Sequence, residues 1–301
     1  MIPYAKAICY SGYREDQSPH ADVYPSYEEV LEDLNILSKH FDYIRMYDVS
    51  EHPRTVLKVI SENNIPLKVM LGVEPKGEIS NPNCSWGGLH SDEEIEVNKV
   101  KNYEQLDELA NLCNRYKDVV LAASVGNENT SDWHGNLMPV STIAMHAKYL
   151  KTKTEVPVTF CEGAHNWVDK GHEIAKEVDF ISIHSYPVWL KTPLKDAYEL
   201  TTNDYYKNKS LYPDKQIIFT EYGWTTKAND KMNTEETNEI NQKIYLEQMD
   251  LWSEENKVTM FIFEAFDEPW KGSKDPDEPE KHWGIMDIKR KPKLYATKYF
   301  K

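Results

Sequence analysis

The chain of 301 residues has four cysteines, Cys9, Cys84, Cys113 and Cys161, too far apart for any CxxC spacing. A thiol-built metal site or redox pair is therefore not read from it. Cys9 and Cys161 fall in apolar strand-like runs and Cys113 on an apolar helix face, so buried free thiols are expected, with a disulfide at Cys84 left open. Basic residues are also in short supply: 35 Lys and Arg stand against 50 Asp and Glu, a formal net charge of −15. That balance argues against nucleic acid and anionic membrane as partners, because phosphate binding needs a basic face. It suits a neutral ligand. No apolar run approaches the roughly 20 residues of a membrane span. Met1 runs almost directly into an apolar strand, so no signal peptide is read; a secreted, periplasmic or cell-surface protein is expected only if one has been removed. There is no GxGxxG, no GxSxG and no HExxH, which speaks against a dinucleotide enzyme, an esterase and a zinc protease. His165 and His172, with Glu162 and Glu173 nearby, match no metal spacing, and neither a metal nor another cofactor is expected.

What the chain does have is a repeated alternation. Eight short apolar runs read as strands: Ala5–Ser11, Tyr43–Asp48, Pro66–Glu74, Val119–Glu128, Pro157–Gly163, Asp179–Pro187, the run from Gln216, and the run from Val258. Helical stretches separate them. Ser26 and Glu29 form a capping box ahead of Val30, Leu34, Leu37 and Phe41. Val56, Val59 and Ile60 mark a second helix, Leu106, Leu109 and Cys113 a third, and Ile143, Ala147 and Leu150 a fourth. A short helix precedes the sixth strand and a longer one spans Leu194–Asn208. Thr234–Asn256 is the clearest helix, with Ile240, Ile244 and Leu251 on one face, and Leu294–Phe300 reads as a closing helix. Near-continuous apolar strands indicate a parallel sheet covered on both sides, and eight such units predict one (β/α)8 TIM barrel domain over residues 1–301. The acidic run Lys274–Lys281 reads as a solvated surface loop.

In such a barrel the active site lies at the C-terminal ends of the strands. Two strands share one plan there. Val119–Val125 leads through Gly126 and Asn127 to Glu128; Ile217–Thr220 leads to Glu221, with Gly223 and Trp224 just beyond. Strands 4 and 7 face each other across the barrel mouth, so the two glutamates can converge as a catalytic pair. Asn127 can hydrogen-bond a sugar 2-OH, and Lys271 or Arg45 can hold Glu221 ionised. Other residues at strand ends are Tyr10, Tyr47, Asp48, Glu162, His184, Tyr186, Glu264, Asp267 and Glu268. His184 reads as a hydrogen-bonded strand-end histidine. Seven of the eight tryptophans, Trp86, Trp133, Trp167, Trp189, Trp224, Trp270 and Trp283, follow strands, and two or three are expected to pin loops. The rest make flat aromatic walls beside carboxylates, which points to a sugar chain.

The motifs Cys9-Tyr10, Arg45-Met46-Tyr47-Asp48, Val125-Gly126-Asn127-Glu128, Tyr186-Pro187, Thr220-Glu221-Tyr222-Gly223-Trp224 and Phe266-Asp267-Glu268-Pro269-Trp270-Lys271 occur in order along the whole chain. Together they resemble glycoside hydrolase family 17, and the opening CYSGYREDQSP resembles its microbial branch. The resemblance implies retaining hydrolysis or transfer of β-1,3-glucan, with Glu128 as acid/base and Glu221 as nucleophile. It implies a supporting shell of Tyr10, Asn127, Tyr186, Trp224, Glu268 and Lys271. Tyr47, Trp133, Trp189 and Trp270 join them as expected substrate-binding residues. Plant members usually carry Thr at the position of Tyr222. The expected function is a β-1,3-glucan hydrolase acting on laminarin-type substrates as a monomer. A β-1,3-glucanosyltransferase is the first alternative and a non-catalytic glucan-binding protein the second.

Overall fold

Runs such as Val158–Phe160 and Ile217–Phe219 are buried along their whole length, as strands between a packed barrel interior and an outer ring of helices must be. The computed structural model describes residues 1–300. Its eight strands are β1 (Lys6–Cys9), β2 (Tyr43–Arg45), β3 (Lys68–Gly72), β4 (Val120–Asn127), β5 (Val158–Gly163), β6 (Ile181–Ser185), β7 (Ile217–Tyr222) and β8 (Met260–Ile262). All pair in parallel and in sequence order. The pairing of Lys6, Ala7 and Ile8 with Met260, Phe261 and Ile262 closes the barrel. Between the strands lie α1 (Tyr27–Leu37), α2 (Glu51–Asn63), α3 (Asp92–Arg115), α4 (Val140–Lys151), α5 (Ala164–Lys170), α6 (His172–Glu177), α7 (Leu194–Leu211) and α8 (Glu239–Asn256).

The expected elements are present with narrower limits. Ser26 and Glu29 do form a reciprocal capping box on α1. The stretch after Leu294 is only a 3₁₀ turn, Ala296–Tyr299. Helix α8 begins at Glu239 because Asn238 caps it, its side chain accepting from the Asn241 amide. Its inward face also differs from the expected stripe. Ile240, Ile244 and Leu251 are exposed, while Gln242, Tyr245, Leu246, Met249 and Trp252 are buried. The larger aromatic surface wins: Trp252 packs against Tyr205 and Phe219, and Tyr245 shares a 2.8 Å hydrogen bond with Thr201. All four cysteines are buried and free, so Cys84 forms no disulfide.

Two polar clamps tie the ends of the chain to the barrel. The Gln216 side chain exchanges hydrogen bonds with the Ile2 backbone at 2.8 and 2.7 Å. Asp33 on α1 accepts from Arg14 at 3.0 Å and from two Arg290 nitrogens at 2.7 Å, so this buried carboxylate is fully paired.

Candidate active site

Strand register slips at the C-terminal ends of β4, β6 and β7, between Ser124 and Asn127, Ile183 and His184, and Phe219 and Tyr222. Such bulges re-aim side chains, and these three strands carry Glu128, His184 and Glu221 to the barrel mouth. Glu128 itself has a left-handed backbone, φ 57°. That conformation is costly for a residue with a Cβ and persists only where its surroundings over-determine it. Here the Glu128 amide donates to Cys161 O at 2.8 Å, and Asn129 accepts from the Asn127 amide at 2.8 Å. Gly126 is required by the same turn, since a Cβ there would meet Asn129 Oδ1 at 2.5 Å. Gly223 plays the matching part after β7, where a Cβ would lie 2.3 Å from Phe263 O.

Glu221 is held from four directions. Arg45 makes a short ion pair with Oε1, Tyr47 donates to Oε1 at 2.9 Å, Tyr186 donates to Oε2 at 2.6 Å, and His184 Nδ1 lies 3.4 Å from Oε2. Burial alone would raise its pKa; the charges of His184 and Arg45 and the two tyrosine hydrogen bonds hold it below the usual glutamate value. Glu128 is the more open of the two, its side chain 19% exposed against 6% for Glu221. Burial raises its pKa, and the charge of Glu221 adds to that, against the pull of His184. One oxygen from each glutamate and a His184 ring nitrogen lie within 4.8 Å of one another. The two carboxyl groups therefore lie close enough to act on opposite sides of one bond.

His184 is more than a strand-end histidine. Its Nδ1 donates to Glu128 Oε1 at 2.9 Å. Burial pulls its pKa down, but Glu221, Cys161 and Glu128 together push it up to about 10, so it carries a positive charge at neutral pH. Glu128, His184 and Glu221 are also the groups a cation would need. With a protonated imidazole and the Arg45 guanidinium already supplying positive charge, the donors fit a proton network rather than a metal.

The remaining expected site residues divide. Arg45 Nη2 donates to Asn127 Oδ1 at 2.5 Å, which leaves the Asn127 amide nitrogen free for a ligand. Tyr47, Asn127, Tyr186, Trp189, Trp270 and Lys271 are partly exposed, and Trp133 is exposed. Tyr10 is buried: its hydroxyl donates to Asp33 at 3.1 Å and its ring packs on His52 and Phe266, so it supports α1 rather than the cleft. Trp224 is wholly buried, its ring against Tyr245 and its Nε1 donating to Glu236 O at 2.9 Å; it offers no face to a sugar. Trp167 and Trp283 are buried as well, the expected fraction of loop anchors. Lys271 does not reach Glu221. It pairs with Glu264 at 2.9 Å and, in a shorter contact, with Glu268, which also accepts from Trp270 Nε1 at 3.0 Å. Arg45 takes the part that was open between the two.

Two further carboxylates contribute: Glu162, expected only as a strand-end residue, and Glu280, not singled out in the sequence. Glu162 accepts from Thr130 N at 3.0 Å, Thr130 Oγ1 at 2.7 Å and Ser131 Oγ at 2.9 Å, and so anchors the loop that follows Glu128. Glu280 lies in the 3₁₀ turn Pro279–Lys281, within the run expected to be a solvated loop. That run is instead anchored: Glu278 is buried and bonded to Lys231 at 2.8 Å and to Ser273 at 2.7 Å. Burial pushes the Glu280 carboxyl up to about 7; Lys271 opposes this, and the charges of Glu221 and Glu128 add to it. Only the clustering of acidic residues in that run hinted at Glu278 and Glu280.

A family model described as the BtgE/BtgC glycoside hydrolase domain matches residues 7–284. A probable glucan endo-1,3-beta-glucosidase btgC of Aspergillus flavus is 25% identical over 298 residues, a match covering 89% of this chain and 40% of that protein. A glucan 1,3-beta-glucosidase of Arthroderma benhamiae is 22% identical over 281 residues, covering 88% of this chain and 82% of that one. This chain thus spans about 40% of the length of the Aspergillus relatives it matches. An endo-laminarinase from Formosa has the same fold, with a TM-score of 0.84 at 23% identity over 98% of this chain and 86% of that one. So does a glycoside hydrolase family 17 β-1,3-glucanosyltransferase from Rhizomucor miehei, with a TM-score of 0.74 at 17% identity over 96% and 95% of the two chains. The family model covers seven strands of the barrel completely and both glutamates, and the chain belongs to the BtgE/BtgC glycoside hydrolase family.

Proposed function

We propose that this barrel, acting as a single catalytic domain and a monomer, hydrolyses β-1,3-glucan with retention of anomeric configuration. The observation that carries the mechanism is the glutamate pair: two carboxylates within 4.8 Å, one held ionised and one with a raised pKa. Glu128 protonates the glycosidic oxygen as the bond to the leaving sugar breaks. Glu221 attacks the anomeric carbon and forms a glycosyl-enzyme. Glu128, now a carboxylate, takes a proton from water, whose oxygen displaces Glu221. Arg45, Tyr47 and Tyr186 keep Glu221 ionised and aimed, and the free Asn127 amide is placed for the sugar 2-OH. The substrate class rests on the relatives, described as glucan endo-1,3-beta-glucosidase and glucan 1,3-beta-glucosidase.

Proton NMR of the first products from laminarihexaose tests this. The β anomer should form first and mutarotate later. An initial α anomer would refute the retaining route. Products longer than the starting sugar, dominating even in dilute substrate, would favour glucanosyl transfer on the same pair of glutamates.

A further inference from the structure

The left-handed backbone of Glu128 opens a closed turn, in which the Ser131 amide donates to Glu128 O at 3.0 Å. Strand β5 is the template for that turn. Cys161 O accepts from the Glu128 amide at 2.8 Å, and the next side chain, Glu162, takes hold of the far side. Glu162 is 1% exposed. Its Oε2 accepts from Thr130 N at 3.0 Å and Thr130 Oγ1 at 2.7 Å. Its Oε1 accepts from Ser131 Oγ at 2.9 Å, Gly163 N at 2.7 Å and Asn166 Nδ2 at 3.1 Å. Helix α5 completes the grip. Asn166 also donates to Ser131 Oγ at 2.8 Å, and Lys170, one helical turn on, donates to Thr130 O at 2.9 Å.

All five contacts on Glu162 are donors, so the group works as a pure acceptor, a property of a carboxylate and not of an amide. Burying it costs desolvation that an apolar side chain would avoid, and only a complete set of hydrogen bonds offsets that cost. A network satisfied in this way rigidifies the segment it binds. The segment is Thr130 and Ser131, directly after the residue whose carboxyl must meet a glycosidic oxygen. Glu221 is held independently, by Arg45, Tyr47 and Tyr186.

We propose that Glu162 is a positioning residue for the acid/base: through Thr130 and Ser131 it fixes the turn that aims the Glu128 carboxyl. This rests on the functional reading above, in which Glu128 gives up the proton, and it names the residue that sets the geometry of that step. Attack by Glu221 does not depend on it. The charge of Glu162 is also among the causes that raise the Glu128 pKa.

The test separates proton donation from nucleophilic attack. Laminarihexaose needs a proton on its leaving sugar; 2,4-dinitrophenyl β-laminaribioside does not, because its phenolate leaves unaided. In Glu162→Gln, kcat/KM on laminarihexaose should fall about a hundredfold, the scale of an ångström-sized misplacement, with little change on the dinitrophenyl glycoside. The alkaline limb on laminarihexaose should move to lower pH, since Glu128 keeps His184 and Glu221 as neighbours but loses a negative one. Should Glu162→Gln fail to fold, Thr130→Val/Ser131→Ala removes two of the five donors, keeps the carboxylate, and should show the same selective loss. An equal loss on both substrates makes Glu162 a general fold anchor and overturns the proposal, as does an unaltered kcat/KM on laminarihexaose. Glu128→Gln is the reference and should show the same selectivity more strongly. Its absence there overturns the acid/base assignment on which the role rests, and a wild-type protein that cleaves neither substrate overturns the functional reading and the role with it.

Discussion

His184 Nδ1 donates a 2.9 Å hydrogen bond to Oε1 of Glu128, the residue placed to act as proton donor. The same nitrogen lies 3.4 Å from Glu221. One positive imidazolium therefore lowers the pKa of both glutamates; Arg45 and the two tyrosines lower that of Glu221 further, while burial and the charge of Glu221 leave that of Glu128 raised.

Replacing His184 with Gln should move both limbs of the kcat/KM–pH profile upward, because each glutamate loses a positive neighbour. The stability effect has a defined sign. With a folded pKa of about 10 against 6.5 unfolded, His184 stabilises the fold fully below about pH 6.5, and this is lost as pH rises through 10. Thermal melts from pH 6 to 10 should show a steeper decline for wild type than for His184→Gln.

Glu280 carries the same sign in a lower pH window. A carboxyl raised to about 7 from 4.5 binds its proton more tightly in the folded state, so stability falls as pH rises across that window. Glu280→Gln should melt higher than wild type at pH 8 and no higher at pH 4. Equal melting at both values would mean that Glu280 is freely solvated.

Trp224 and Trp189 should part company. Trp224→Ala empties a buried site and loses the hydrogen bond to Glu236, costing about 3–5 kcal/mol in urea unfolding. Trp189 is partly exposed beside Trp283, their centroids 6.3 Å apart. Trp189→Ala should instead weaken laminari-oligosaccharide binding by about 1–3 kcal/mol, read by calorimetry, with little change in melting.

The barrel was legible because eight apolar runs of strand length alternate with helical periods, a pattern few architectures accept. Glu128 and Glu221 were legible for a local reason: each ends such a run beside a glycine. What decides their chemistry was not local. Arg45 meets Glu221 across 176 positions of sequence, and His184 meets Glu128 across 56. Lys271 looked equally suited to Glu221 until the loop after β8 turned it toward Glu264 and Glu268. Trp224 shows the same limit. A tryptophan after a strand reads as a sugar platform or as a loop anchor with equal ease, and only the packing of its ring on Tyr245 and its bond to Glu236 separate the two. On α8 two apolar stripes competed, and the one rich in Tyr, Met and Trp went inward.

The central claim is that Glu221 becomes covalently attached to the sugar. The most direct measurement is peptide mass spectrometry after inactivation with a 2-deoxy-2-fluoro-laminaribiosyl donor, which slows release of the glycosyl-enzyme. The account predicts one adduct, on the peptide carrying Glu221, and none in Glu221→Gln. An adduct on Glu128, Glu264, Glu268 or Glu280, with Glu221 unmodified, would contradict it.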